Sequence, residues 1–154
     1  MTVFLAVEQW NSECVGVHAA KEGTRFEALE PIYQGVREHF ATVDAAVASG
    51  LALRHDHGSQ YMSDHFQDTL RFLGVESSPS FVRAPEGNCI SERTVRTLKE
   101  QLLWLRTVRN VEELRLALHE WRKTYNESWL VARQGYRTPA ELRREVVGTL
   151  RAVG

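Results

Sequence analysis

The chain has 154 residues, 43% of them hydrophobic and 25% charged, and a formal net charge of −1. This length suits one domain that buries a core without disulfides, and the composition excludes a disordered chain. No apolar run approaches the roughly 18 residues of a membrane helix, and the N-terminus lacks the basic segment of a signal peptide. We therefore expect a cytoplasmic protein that does not enter a membrane.

The first half of the sequence predicts short strands. Residues 3–7 and 13–20 are apolar or alternating and read as a hairpin, whereas residues 51–53 read as a buried strand. Residues 75–78 could form a further short strand. These strands alternate with predicted helices, which indicates an α/β layered fold.

Two helices are predicted between these strands. Thr24 and Glu27 form a capping box, so a helix begins there, and Pro31 should kink or restart it. A second helix spans residues 63–72 and ends at Gly74. The apolar positions expected to face inward in the first helix are Phe26, Leu29, Val36 and Phe40.

Three more helices are predicted to complete the chain as a helical tail. The first covers about 89–106, and the other two begin at the capping boxes of Asn110 and Thr138. The first should bury Val95, Leu98, Leu102 and Leu105, and the second Leu114, Leu118, Trp121 and Tyr125.

Asp56 is the first candidate for chemistry, because it follows the strand at 51–53 and strand ends collect ligands in α/β sheets. Gly58 would let the backbone turn sharply after it. The alternative interpretation is a turn aspartate between solvated histidines.

Glu92 is the second candidate. At 100° per residue, Glu92, Arg96 and Lys99 share one stripe of a helix. The segment that follows Glu92, residues 93–109, carries five basic residues and one acid. An acid followed by two cations suits a metal ligand beside groups that neutralise phosphate. The alternative is a Glu–Arg ion pair on a solvated helix face.

Asp56 and Glu92 are separated by 35 residues, 57 to 91. This interval and four segments of the chain together resemble the integrase core of insertion-sequence transposases and retroviral integrases, the ribonuclease-H-like DDE enzymes. In that family the second and third catalytic acids are separated by the same interval. The segments are HDHGSQYMSDHF (55–66), RFLGVESSPSFVRAPEGN (71–88), SERTVRTLKEQ (91–101) and YNESWLVARQGYRTPAEL (125–142).

The resemblance implies a polynucleotidyl transferase that acts on transposon ends and target DNA. Asp56 and Glu92 match the second and third catalytic acids, which in such enzymes hold a pair of Mg²⁺ (or Mn²⁺) ions for in-line phosphoryl transfer. Asn88, Arg96 and Lys99 match positions that contact DNA.

The chain also departs from the family pattern. The family places three strands before its first helix, with the first catalytic aspartate on the opening strand, whereas only two strands are predicted before Thr24. We therefore expect an integrase core that lacks its first strand, covering residues 3–127 and followed by a tail at 128–154, and with little activity alone.

Alternatives remain open. The chain could be an inactive remnant that binds DNA or a full-length transposase, or it could assemble with copies of itself across the gap left by the strand. A zinc-dependent hydrolase is a minor alternative, since His55, His57 and His65 lie around Asp56 and imidazole suits zinc.

Overall fold

The computed structural model describes residues 1–79 and 89–153. The chain divides into two compact units, the first formed by Met1–Ala6 and Val15–Cys89 and the second by Val7–Cys14 and Ile90–Gly154. The domain bounds expected from the sequence, 3–127 and 128–154, stay a prediction.

The strands form two separate two-stranded sheets. Strand β1 (Thr2–Val7) pairs with β2 (Cys14–Ala20), and β3 (Ala52–His55) pairs in parallel with β4 (Glu76–Pro79). All four predicted strands are therefore present. Within residues 1–79 and 89–153, no ladder of backbone hydrogen bonds joins β1 or β2 to β3 or β4.

Three helices belong to the first unit, namely α1 (Arg25–Phe40), α2 (Ser59–Met62) and α3 (Asp64–Leu73). The N-cap of α1 is Thr24, whose Oγ1 accepts from the Glu27 N–H, as the capping box predicts. The Glu27 carboxylate pairs instead with the His18 ring. Helix α1 continues through Pro31, and α3 ends at Gly74 in the left-handed conformation.

The core of the first unit consists of two clusters. Phe4 from β1 packs with Leu29 of α1 and with Phe66 and Leu70 of α3, and Leu53 of β3 lies against the same cluster. A smaller cluster contains Val36, Ala48 and Leu73. Phe26 and Phe40, predicted to face inward, are instead exposed.

Helix α1 contacts β2 closely at two points. A Cβ atom on Gly16 would lie 2.0 Å from the Pro31 carbonyl oxygen, so only glycine allows this approach. The Gln34 side chain accepts from the Val17 N–H at 2.9 Å and donates to the Val17 carbonyl at 3.0 Å. The amide group thus satisfies backbone groups of β2 that a neighbouring strand would otherwise bind.

The second unit is mostly helical. It contains α4 (Cys89–Leu98), a π-helical turn (Lys99–Leu103), α5 (Val111–Ser128), a 3-10 turn (Ala132–Gln134) and α6 (Pro139–Val153). Among the helices of the described ranges, none is both long and apolar enough to cross a membrane.

Both predicted N-caps of this unit form, but only the one at Thr138 is a complete capping box. Asn110 Oδ1 accepts from the Glu113 N–H at 2.9 Å at the start of α5, whereas the Glu113 carboxylate accepts from the Arg109 N–H at 2.9 Å. At α6, Thr138 Oγ1 accepts from the Glu141 N–H, and the Glu141 carboxylate accepts from the Thr138 N–H. The buried residues of α5 include the four that were predicted, Leu114, Leu118, Trp121 and Tyr125.

The helix predicted at 89–106 differs from the structure. It is α-helical only to Leu98 and then widens into the π-helical turn, and Leu105 is 77% exposed beyond it. Thr94 and Thr97 are buried with Leu98. Each threonine hydroxyl donates to the carbonyl four residues earlier, so its burial leaves no polar group without a partner.

Candidate active site

Asp56 is the residue directly after β3. Its side chain is exposed, and Oδ1 accepts a hydrogen bond from the Gly58 N–H at 2.7 Å. This contact directs one carboxylate oxygen back to the turn that leads into α2. The other oxygen, Oδ2, makes no hydrogen bond or ion pair with any residue in the part of the chain that the structure describes.

Gly58 leaves room for the side chains of Asp56 and Gln60. Its φ is −56° and its ψ is 144°, values that any residue adopts. A Cβ atom at this position, however, would lie 2.9 Å from Asp56 Oδ1 and 3.0 Å from the Gln60 side-chain atoms. A larger residue would therefore displace the carboxylate.

His55 positions the Asp56 turn, a role that the sequence reasoning missed. The ring is 7% exposed; Nδ1 lies 2.7 Å from the Asp56 carbonyl oxygen and Nε2 lies 2.8 Å from Ser77 Oγ. A carbonyl oxygen only accepts, so Nδ1 carries a proton, and the neutral ring then accepts from the Ser77 hydroxyl through Nε2. His55 thus ties the backbone of Asp56 to β4.

Aromatic side chains enclose the His55 ring. Tyr61 stacks on it with ring centroids 5.6 Å apart, and Phe66 meets it edge-on at 5.9 Å. Burial raises the pKa of Tyr61, and the negative charge of Asp56 raises it further. One side of the Asp56 turn is therefore packed against aromatic side chains, whereas the carboxylate faces solvent.

Glu92 lies in the first turn of α4, in the second unit, and its side chain is exposed. Arg96 and Lys99 are also exposed. Arg96 Nε donates to Glu100 Oε1 at 2.9 Å, so the ion pair of this helix face joins Arg96 to Glu100 and not to Glu92. With side chains 78% and 49% exposed, this pair contributes little to stability.

Two predicted site residues thus fall in different units, Asp56 in the first and Glu92 in the second. The predicted DNA-contacting residue Asn88 lies outside the described residues. Of the histidines considered for zinc, His55 has both ring nitrogens engaged, whereas His57 is exposed and His65 lies against Phe26 with ring centroids 4.8 Å apart.

Parts of this chain are similar to known transposases and to an integrase family model. A family model of the integrase core domain matches residues 73–139. The transposase of insertion sequence IS904 from Lactococcus lactis is 43% identical over 54 residues, which is 35% of this chain and 21% of that protein. The InsD transposase of insertion element IS2 from Escherichia coli is 32% identical over 90 residues, 58% of this chain and 30% of that protein. Residues 73–139 are therefore similar to an integrase core.

Solved structures support the same fold. The catalytic core domain of BIV integrase aligns with a TM-score of 0.65 at 18% identity, over 97% of this chain and 97% of that one. The HTLV-2 integrase catalytic core domain, in complex with magnesium, aligns with a TM-score of 0.58 at 17% identity, over 84% of this chain and 76% of that one. The chain therefore has the fold of these integrase catalytic cores, the ribonuclease-H-like fold expected from the sequence.

Proposed function

We propose that this integrase core serves DNA transposition by metal-dependent phosphoryl transfer, with Asp56 and Glu92 as catalytic metal ligands. The observation that carries the proposal is the Asp56 turn: a buried histidine and a hydrogen-bonded glycine hold a solvent-facing carboxylate at the end of a strand. The matched transposases, of which the aligned segments span 21% and 30%, suggest the reaction class.

The donor set fits a hard divalent cation. Asp56 offers one oxygen that is not used in its turn, and the exposed Glu92 carboxylate pairs with no cation among the described residues. Carboxylate oxygens are the protein ligands that Mg²⁺ and Mn²⁺ prefer, and the magnesium in the HTLV-2 structure supports this choice. When bound, such an ion neutralises charge at the scissile phosphate and lowers the pKa of the attacking water.

The other residues of the site act on DNA. Arg96 and Lys99 are exposed on or next to α4 and would neutralise backbone phosphates, and we propose the same contact for Asn88. In strand transfer, a 3′-hydroxyl of the transposon end attacks a target phosphodiester and loses its proton to solvent as the new P–O bond forms. The bond from phosphorus to the 3′-oxygen of the target strand breaks, and that oxygen takes up a proton from solvent to become a 3′-hydroxyl.

We propose that residues 1–154 alone have little strand-transfer activity. The resemblance assigns two acids in this chain where the family uses three, and fewer anionic ligands bind paired cations more weakly. The lack of a ladder between the two sheets within the described residues is consistent with a core that needs a further strand. The partners that we propose are transposon-end and target DNA, a second copy of the chain and full-length transposase, in the cytoplasm.

The test is a nicking and strand-transfer assay with Mg²⁺ or Mn²⁺, run on the chain alone and on the chain extended upstream by a strand that carries an aspartate. The extended chain should gain activity that D56N and E92Q each abolish, whereas H57N, beside the site, should retain it. Activity of the extended chain that survives D56N would contradict the assignment.

The same assay addresses the alternatives. If the extended chain binds DNA but never transfers strands, the chain is an inactive remnant. If activity requires Zn²⁺ and is lost in H57N, the zinc hydrolase replaces the transposase. Both ring nitrogens of His55 are hydrogen-bonded in the structure, which favours the carboxylates as ligands.

A further inference from the structure

A cavity of about 110 Å³ lies within the second unit, among α4, the C-terminal end of α5 and the segment that follows α5. Two arginines, Arg93 and Arg133, line it together with Thr94, Thr97 and Tyr125. Of the described residues that line this cavity, none is acidic. The cavity is therefore a concave surface with two positive charges.

Three hydroxyl groups in the cavity wall donate to backbone acceptors. The side chains of Thr94, Thr97 and Tyr125 each donate to a carbonyl oxygen, at 3.0, 2.9 and 2.8 Å. The protons of these three hydroxyls are thus unavailable to a guest molecule. The charged donors of the cavity are guanidinium N–H groups, which favour an anionic guest.

Arg133 is anchored by neutral groups. Its guanidinium donates to the carbonyl oxygens of Gln9 and Trp10 and to Ser12 Oγ. These acceptors fix the side chain but do not cancel its charge. The Arg93 guanidinium makes no hydrogen bond or ion pair with any residue in the ranges that the structure describes.

Both positive charges act on one residue of the cavity wall. Burial raises the pKa of Tyr125, whereas its hydrogen bond with Thr94 and the positive charges of Arg133 and Arg93 lower it. Arg93, Arg133 and Tyr125 line the same cavity. Trp129, stacked on Tyr125 with ring centroids 5.8 Å apart, provides an apolar side to the same cavity.

We propose that this cavity binds a phosphate group. Guanidinium groups pair with phosphate through parallel N–H···O bonds, and a cavity of this volume has room for one tetrahedral oxyanion. The phosphate belongs either to a DNA backbone or to a free phosphate ester. The site uses neither Asp56 nor Glu92, so it does not depend on the proposed catalytic function.

The experiment is isothermal titration calorimetry of the full chain with inorganic phosphate at constant ionic strength. We expect saturable binding that R93Q weakens about tenfold or more, because a charge-assisted hydrogen bond is lost. The matched control is R144Q, an exposed arginine of α6 outside the cavity, which should change affinity less than twofold. R133K keeps the positive charge but loses the paired guanidinium N–H donors. Its loss of phosphate affinity should therefore lie between those of R144Q and R93Q.

A second arm identifies the source of the phosphate. If duplex DNA competes with inorganic phosphate and R93Q weakens DNA binding, the ligand is a backbone phosphate. If R93Q leaves the affinity for duplex DNA unchanged, the ligand is a free phosphate ester. D56N should bind phosphate normally even if strand transfer fails. The proposal is overturned if no saturable phosphate binding occurs, or if R93Q and R144Q reduce it equally while circular dichroism shows both variants folded.

Discussion

His55 offers the sharpest test of how the Asp56 turn is built. Replacing it by phenylalanine keeps a planar ring between Tyr61 and Phe66 but removes the hydrogen bonds to the Asp56 carbonyl and to Ser77, at 2.7 and 2.8 Å. Each such bond contributes about 0.5–1.5 kcal/mol, so H55F should lower the free energy of unfolding by about 1–3 kcal/mol. For a chain of this size, each kcal/mol shifts the melting temperature by roughly 2–4 °C.

The assay combines thermal unfolding with Mn²⁺ titration. H55F should both melt earlier and bind Mn²⁺ more weakly, because the loosened turn no longer holds the carboxylate in place. The control is H57F, since His57 is exposed beside the same aspartate. If H55F and H57F melt at the same temperature and bind Mn²⁺ equally, the positioning role of His55 is refuted.

Three further predictions follow from other parts of the molecule. G16A should destabilise the chain by about 3 kcal/mol or more in urea unfolding, since the new Cβ meets the Pro31 backbone at 2.0 Å, whereas G35A, with its nearest contact at 3.4 Å, should be tolerated. Tyr61 and Tyr125 have raised pKa values, so they stay protonated in the folded state at pH values where the unfolded chain ionises. Their contribution to stability is complete below about pH 10 and is lost as the pH rises further, which ultraviolet titration of the folded and urea-unfolded chain should show. Because no ladder joins the two sheets within the described residues, we expect marginal stability or self-association, and a monodisperse, cooperatively melting monomer in light scattering and calorimetry would contradict this.

Features encoded by local sequence were predicted well. The capping residues Thr24, Asn110 and Thr138 begin α1, α5 and α6, and Gly74 ends α3. Each of these signals operates over three or four neighbouring residues, so no knowledge of the tertiary structure is needed. The inward face of α5 also followed directly from its apolar spacing.

Features that depend on tertiary contacts were not predictable in the same way. The helix ends with the π-helical turn at Leu103, so Leu105 lies beyond it and is exposed although its spacing fits the apolar stripe. Thr94 and Thr97 can be buried since their hydroxyls donate to backbone carbonyls, a contact that a hydropathy pattern does not reveal.

In the candidate site, too, one feature is set by the local sequence and another by a tertiary contact. The position of Asp56 after a strand could be predicted from the apolar run before it. The role of His55 could not, because Ser77 lies 22 residues away on another strand. The strand at 51–53 was predicted to be buried, but in β3 only His55 is buried, whereas Ala52 and Arg54 are exposed. A histidine directly before a candidate acid, at the last position of a strand, was the signal that could have indicated this role.

The central claim is that Asp56 and Glu92 hold the same divalent ion, and a double-mutant cycle of Mn²⁺ affinity tests it most directly. D56N and E92Q should each weaken Mn²⁺ binding about tenfold or more, and the double variant should lose little beyond either single one, because one site has already been destroyed. Independent, additive losses, or Mn²⁺ binding that neither substitution changes, would contradict the account.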